Sequence, residues 1–212
     1  MRVLVFGDSI TQGYWDVNGG WVNIIRKHYD QIQLQDLDHN DEPTFFNLGI
    51  SADNSKDILG RVEAEIQART RSHHPVKPVI LIQIGINDSS KEPTDPQISP
   101  AEYEANLDKL IDIVDPLSSK IVLVGLSACN EARTLPVAWG EYYSNNTDIE
   151  KYEQIMKSVA ERKNVDHIAV FQQFKEGLDG GLDLLEDGLH PNTDGHQLMA
   201  DIILPKLEEI LA

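Results

Sequence analysis

Apolar residues along this chain recur in two alternating rhythms. Short apolar runs at 3–6, 44–48, 79–84, 120–126 and 167–171 have the length of buried strands. The run at 79–84 (VILIQI) is nearly continuous, as expected of a central strand in a parallel sheet. Between the runs, apolar side chains return at helical spacing. Trp21, Ile24, Ile25 and Tyr29 form one stripe, and Ile58, Leu59, Val62 and Ile66 a second. Tyr103, Leu107, Leu110, Ile111 and Val114 form a third, and Tyr152, Ile155, Met156 and Val159 a fourth. Leu198, Met199, Ile202, Ile203 and Leu207 mark a last helix, which Pro205 is expected to kink. Helix starts are signalled by Asn54-Ser55, by Ser99-Pro100-Ala101-Glu102, and by a capping box over 147–150. Strand–helix alternation, five times over, predicts one α/β domain over 1–212, with three layers around a mainly parallel sheet.

Three stretches break the rhythm. Residues 35–43 are polar and acidic and read as a loop, as do residues 69–77, which contain His73-His74. Adjacent histidines seldom converge on one ion, so that pair is read as solvent-exposed and no metal site is assigned. Residues 127–146 are long and irregular and carry Trp139, Tyr142 and Tyr143. A loop of that length in a compact domain is usually functional or disordered. Its aromatics suit a lid or pocket wall, although packing onto the domain surface explains them equally well.

Composition narrows the classes. At 212 residues, 41% hydrophobic and 25% charged, the chain suits one soluble globular domain. No segment approaches the roughly 18 unbroken apolar residues of a membrane span. The first strand begins at once, with no apolar secretory segment ahead of it, so a cytoplasmic location is expected. The single cysteine, Cys129, is consistent with a reducing compartment. Net charge is −17, from 35 acidic against 18 basic residues. Such a surface repels phosphate backbones and anionic headgroups, so neither nucleic acid nor stable membrane insertion is expected.

Candidate chemistry collects at strand ends. The first strand stops at Gly7 and delivers Asp8 and Ser9 to the carboxyl edge of the sheet, where open α/β folds keep their ligands. Gly49 follows the second strand, Asn87 the third, and Asp187 and His190 lie three residues apart in DGLHPN near the end. A serine hydroxyl needs an imidazole to take its proton, and the imidazole needs a carboxylate to fix its tautomer. The N–H groups of Ser9 and Gly49 and the side-chain amide of Asn87 are candidate donors to a tetrahedral oxyanion. Taken singly, each residue has a plainer reading: Asp8, Ser9 and His190 as caps, Asn87 and Asp88 as turn formers. His196, on the last helix, is read as structural.

Together these residues resemble the GDSL family of esterases and lipases, the SGNH hydrolases. Its opening block resembles Gly7-Asp8-Ser9-Ile10, with isoleucine where many members have leucine. Its later blocks resemble Asn47-Leu48-Gly49, Gly85-Ile86-Asn87-Asp88 and Asp187-Gly188-Leu189-His190-Pro191, in the family's order and spanning nearly the whole chain. The resemblance implies a flavodoxin-like α/β/α sandwich with a five-stranded sheet in the order 2-1-3-4-5. It makes Ser9 the nucleophile, His190 the base and Asp187 its orienter, with Ser9, Gly49 and Asn87 as the oxyanion hole. It implies no metal or organic cofactor. Asp8 and Asp88 are read as supporting residues, and Trp15, Trp139 and Tyr142 as pocket candidates. The expected activity is hydrolysis of carboxylic esters through an acyl-enzyme, with short acyl chains on a small molecule or sugar. A thioesterase or lysophospholipase using the same machinery, and a binding module on this fold, are the alternatives.

Overall fold

Val3, Leu4, Val5 and Phe6 have no exposed surface, which is why the opening run forms a strand in the middle of a sheet and not at its edge. The computed structural model describes residues 1–35, 37, 43–70 and 76–212, so His73, His74 and most of the 35–43 loop lie outside the described residues. In chain order the elements are β1 (Arg2–Gly7), α1 (Ser9–Gln12), α2 (Gly20–Gln33), β2 (Thr44–Gly49), α3 (Ser55–Arg69) and β3 (Val79–Gln83). Then follow α4 (Ile86–Ser89), β4 (Lys91–Glu92), β5 (Asp95–Pro96), α5 (Pro100–Val114) and β6 (Lys120–Val124). The chain ends with α6 (Glu131–Thr134), α7 (Asn146–Lys163), β7 (Asp166–Ile168), α8 (Phe171–Asp179) and α9 (Thr193–Leu211).

Five strands form one parallel sheet in the order β2-β1-β3-β6-β7, which is the expected 2-1-3-4-5 once the small β4–β5 hairpin is set aside. Helix α2 packs on α9, while α5 packs on both α3 and α7, giving the helical layers of an α/β/α sandwich. Trp21, Tyr103, Tyr152, Phe6 and Phe174 are the largest side chains sealed in the core. No helix among the described residues is long and apolar enough to cross a membrane.

The structure departs from the expected boundaries in several places. Strand β7 stops at Ile168, and Phe171 instead opens α8, where it and Phe174 are buried one helical turn apart. Helix α7 begins at Asn146 because the side chain of Asn145 accepts the Asp148 N–H at 2.8 Å, so the threonine expected to start it lies inside the first turn. The β4–β5 hairpin was not expected, since its two-residue polar strands carry no apolar period. Residues 127–146 are not structureless. After α6, bonds from Val137 N–H to the Tyr142 carbonyl (2.9 Å) and from Ser144 N–H to the Thr134 carbonyl (3.0 Å) close a strap. Reciprocal backbone bonds between Tyr143 and Lys91 tie that strap to β4. Helix α9 runs unbroken past Pro205.

Register decides what meets at the carboxyl edge. Gly7 at the end of β1 lies level with Gly49 of β2 and Gln83 of β3, so the three following turns emerge side by side. Below them the buried Gln83 amide accepts from Thr11 Oγ1 (2.9 Å) and Trp21 Nε1 (3.0 Å) and donates to the Gly125 carbonyl (3.0 Å). One side chain thereby locks α1, α2 and the end of β6 to β3. A buried network of this kind specifies one arrangement of the elements it joins.

Gly49 is packed directly beneath α1. A Cβ there would lie 2.3 Å from Gln12 N and 2.8 Å from the Asp8 carbonyl oxygen, both backbone atoms that cannot swing aside. Gly49→Ala, which keeps the backbone N–H, is therefore expected to destabilise the protein by about 1–3 kcal/mol in urea unfolding. An unchanged midpoint would show that α1 can lift away from β2 without cost.

Candidate active site

Ser9 opens α1 directly after β1. Asp8 caps that short helix, its Oδ1 accepting the Ile10 N–H at 2.9 Å, and this fixes the turn that presents Ser9. As the first helical residue, Ser9 has an N–H with no intrahelical acceptor. The opposite wall comes from the segment between α8 and α9. It is held as a tight turn by the Glu186 N–H bond to the His190 carbonyl (2.9 Å) and by the Asn130 N–H bond to the Gly188 carbonyl (2.8 Å). The Arg133 guanidinium adds bonds to the carbonyls of Leu185 (3.1 Å) and Glu186.

These walls bring residues from the two ends of the chain into contact. His190 Nε2 lies 3.0 Å from Ser9 Oγ, and His190 Nδ1 lies 2.8 Å from Asp187 Oδ2. Both Ser9 and His190 are only 6% exposed. The other carboxylate oxygen of Asp187 accepts the backbone N–H groups of Leu189 (2.9 Å) and His190 (2.8 Å). Partial burial works to raise the Asp187 pKa, but the bonds from the His190 ring and these backbone groups outweigh it and hold the carboxyl well below its usual range. Asp187 is thus an anion beside Nδ1. In the neutral ring the nitrogen facing a carboxylate is the one that carries the proton, and in that tautomer Nε2 directs a lone pair at Ser9.

The expected oxyanion donors are differently placed. Asn87 Nδ2 donates one hydrogen to the Asp53 carbonyl at 2.8 Å, which orients the amide and leaves its second hydrogen for a ligand. The N–H of Gly49, by contrast, is engaged by the side chain of Asn47 at 3.0 Å. The glycine at that position answers to the close approach of α1, and its donor is already occupied.

The two supporting aspartates are buried and do different jobs. Asp88 accepts the Ser55 N–H on both oxygens at 3.1 Å, joining α4 to the start of α3. Burial pushes its pKa up to about 6 against the opposing bonds from Ser55. Asp8 has one oxygen, Oδ2, with no partner among the described residues, and burial pushes its pKa up to about 7.

Aromatic rings border His190. The Tyr14 ring centroid lies 5.4 Å from that of His190 and 4.7 Å from that of Trp15, and Trp15 itself sits in the left-handed region at φ 69°. Across the cleft, Trp139 lies 6.2 Å from His190 and 5.6 Å from Tyr142. Trp15 is 57% exposed and Trp139 52%. A cleft of about 450 Å³ opens beside Trp15, lined also by Ala132, Arg133, Pro136, Ala138, Glu186 and Asp187. Arg133 was not anticipated from the sequence, and Tyr14 was read only as part of a turn over the edge that holds Ser9. Tyr14 had its place beside Ser9 as a signal, whereas nothing near Arg133 in the chain points to a turn more than fifty residues away. His196 is fully buried and its Nδ1 accepts the Trp21 N–H at 3.3 Å, which ties α9 to α2. Among the described residues, no group of three or more His, Cys, Asp or Glu side chains is arranged to hold a metal ion.

Comparison with known proteins gives the family and the fold. Residues 5–198 match the GDSL-like Lipase/Acylhydrolase family. A multidomain esterase of Ruminococcus flavefaciens is 25% identical over the whole of this chain, which spans 29% of that protein's length. Thioesterase 1/protease 1/lysophospholipase L1 of Escherichia coli K12 is 21% identical, with 99% of this chain and 84% of that protein aligned. Among solved structures, the acetylxylan esterase Axe2 of Geobacillus stearothermophilus superposes with a TM-score of 0.72 at 23% identity, covering 96% of this chain and 92% of that one. LAE5, an α/β hydrolase enzyme from the metagenome of Lake Arreo, Spain, superposes with a TM-score of 0.73 at 23% identity, covering 96% and 93% of the two chains.

The buried carboxyls leave a measurable signature. Asp8 and Asp88 keep their protons to higher pH in the folded protein than in the unfolded chain, so unfolding releases protons between about pH 4 and pH 7. Their contribution to stability is complete below that window and is lost as pH rises through it. Asp187 acts in the opposite sense, its contribution being lost as pH falls below the ordinary carboxylate range. Asp8→Asn retains an acceptor for the Ile10 N–H but cannot ionise. Its urea midpoint is expected to gain on wild type between pH 5 and pH 8, and parallel pH dependences would contradict the assignment.

Proposed function

Because this chain belongs to the GDSL-like lipase/acylhydrolase family, we propose that it hydrolyses carboxylic esters through an acyl-enzyme on Ser9. The observation that carries the reading is the pair of bonds on the His190 ring, 2.8 Å to Asp187 and 3.0 Å to Ser9. Nε2 takes the Ser9 proton as Oγ attacks the ester carbonyl, and the imidazolium that forms is stabilised by the Asp187 anion. The oxyanion is received by the Ser9 N–H and the second amide hydrogen of Asn87. Gly49 joins them only by exchanging Asn47 for the substrate oxygen. His190 then returns the proton to the leaving alcohol, and water repeats the sequence to free the acid.

For the substrate we favour short acyl groups carried on a sugar or another small molecule. The half-exposed rings of Trp15 and Trp139 offer flat apolar faces beside the base, suited to the C–H faces of a sugar ring. The likeness to acetylxylan esterases supports the same direction. A second reading, hydrolysis of acyl thioesters or lysophospholipids, draws on the Escherichia coli relative.

Turnover of p-nitrophenyl acetate and butyrate and of acetylated xylo-oligosaccharides, by wild type and Ser9→Ala, tests both levels. The substitution is expected to lower kcat by about 10⁴-fold or more. Equal turnover by the two proteins would end the proposal, and a preference rising with acyl-chain length would favour the second reading.

A further inference from the structure

Asp187 is bonded from two directions, and only one of them is local. Three of its four donors, the N–H groups of Leu189 and His190 and the His190 ring, belong to its own turn. The fourth is Trp139, whose indole Nε1–H donates to Oδ2 at 3.0 Å, the same oxygen that faces His190 Nδ1. A carboxylate offers about four lone-pair sites, so this bond fills the last of them. Trp139 lies near the tip of the strap closed by the Val137–Tyr142 and Thr134–Ser144 bonds, 48 residues before the carboxylate it touches.

We propose that Trp139 is a positioning residue for catalysis: its indole N–H holds the Asp187 carboxylate in the orientation that serves His190 and makes triad geometry depend on the docked strap. This rests on the reading of His190 as the base. Two physical consequences follow. A second donor on Oδ2 further restricts rotation of the carboxylate about its Cβ–Cγ bond, beyond what the backbone bonds on Oδ1 and the His190 ring impose. The same donor also draws electron density from the oxygen that stabilises the imidazolium, so the ring gains a proton less readily with the indole in place than without it. The groups facing the ring are Asp187 on its own turn, Ser9 and Asp8 at the start of α1, Tyr14 after α1, Trp139 on the strap and His196 on α9. Of these, only Trp139 donates to the carboxylate from outside its own turn.

The test is Trp139→Phe, which retains an aromatic ring beside the carboxylate and against Tyr142 but removes the N–H, with Trp139→Ala removing both. For p-nitrophenyl acetate, a substrate with no sugar, Trp139→Phe is expected to lower kcat roughly tenfold with little change in KM. The acidic limb of the pH profile is expected to move to higher pH. The fall in kcat should be of similar size for acetylated xylo-oligosaccharides, because the defect lies in the triad. A loss confined to KM for the sugar would overturn the proposal and leave Trp139 as a substrate contact only. The His190 ring is also titrated by NMR in wild type and Trp139→Phe, a readout that needs no turnover. A midpoint raised in the variant supports the proposal even if no ester proves to be a substrate, whereas an unchanged midpoint overturns it even in an active esterase.

Discussion

The imidazole of His190 is held from both sides, by a carboxylate three residues earlier and by a hydroxyl 181 residues earlier, and the rest of the carboxyl edge is arranged around that ring. The two contacts differ in kind. The bond to Asp187 is local and survives as long as one tight turn survives. The contact with Ser9 exists only when the first strand and the last helix are both in place. Every element that positions either terminus therefore bears on one distance of 3.0 Å.

Two buried polar groups carry most of that positioning. Gln83 takes hydrogen bonds from Thr11 and Trp21, one two residues after Ser9 and one on α2. His196 accepts from the backbone of Trp21 and so ties α9, which follows the His190 turn, to the same helix. Trp21 is thus a common reference point for the segments that carry Ser9 and His190. Buried hydrogen bonds add modestly to stability, but leaving one partner unpaired is costly, which makes such links specific in a way that apolar packing alone is not. The apolar core supplies the cohesion, and these few polar contacts set the register of the edge.

The ends of the first three strands were legible in the sequence because each is marked by an apolar run halted near a glycine. Ser9 and Asn87 follow such stops, whereas Asp187 and His190 lie in the turn between α8 and α9 and were marked only by their spacing in DGLHPN. What the chain did not disclose lies in irregular segments or in competition for a single atom. The indole bond of Trp139 joins positions with no shared period. The engagement of the Gly49 N–H by Asn47 depends on a side-chain rotamer, and the backbone approach that requires glycine there comes from α1, an element of only four residues. The start of α7 was misplaced because Asn145 and the threonine after it are both competent caps, and only the folded strap decides between them. Periodicity reports which face of an element is buried; it says little about which of two neighbouring donors finds an acceptor.

Chemically, the account reduces to the claim that Ser9 is nucleophilic because His190 removes its proton. The most direct measurement is labelling of the folded protein with a fluorophosphonate, followed by mass analysis of its peptides, for wild type and His190→Ala. The account predicts one adduct, on Ser9, in wild type and its loss or strong slowing in the variant. An adduct on another residue, or labelling of Ser9 at the same rate without the imidazole, would contradict it.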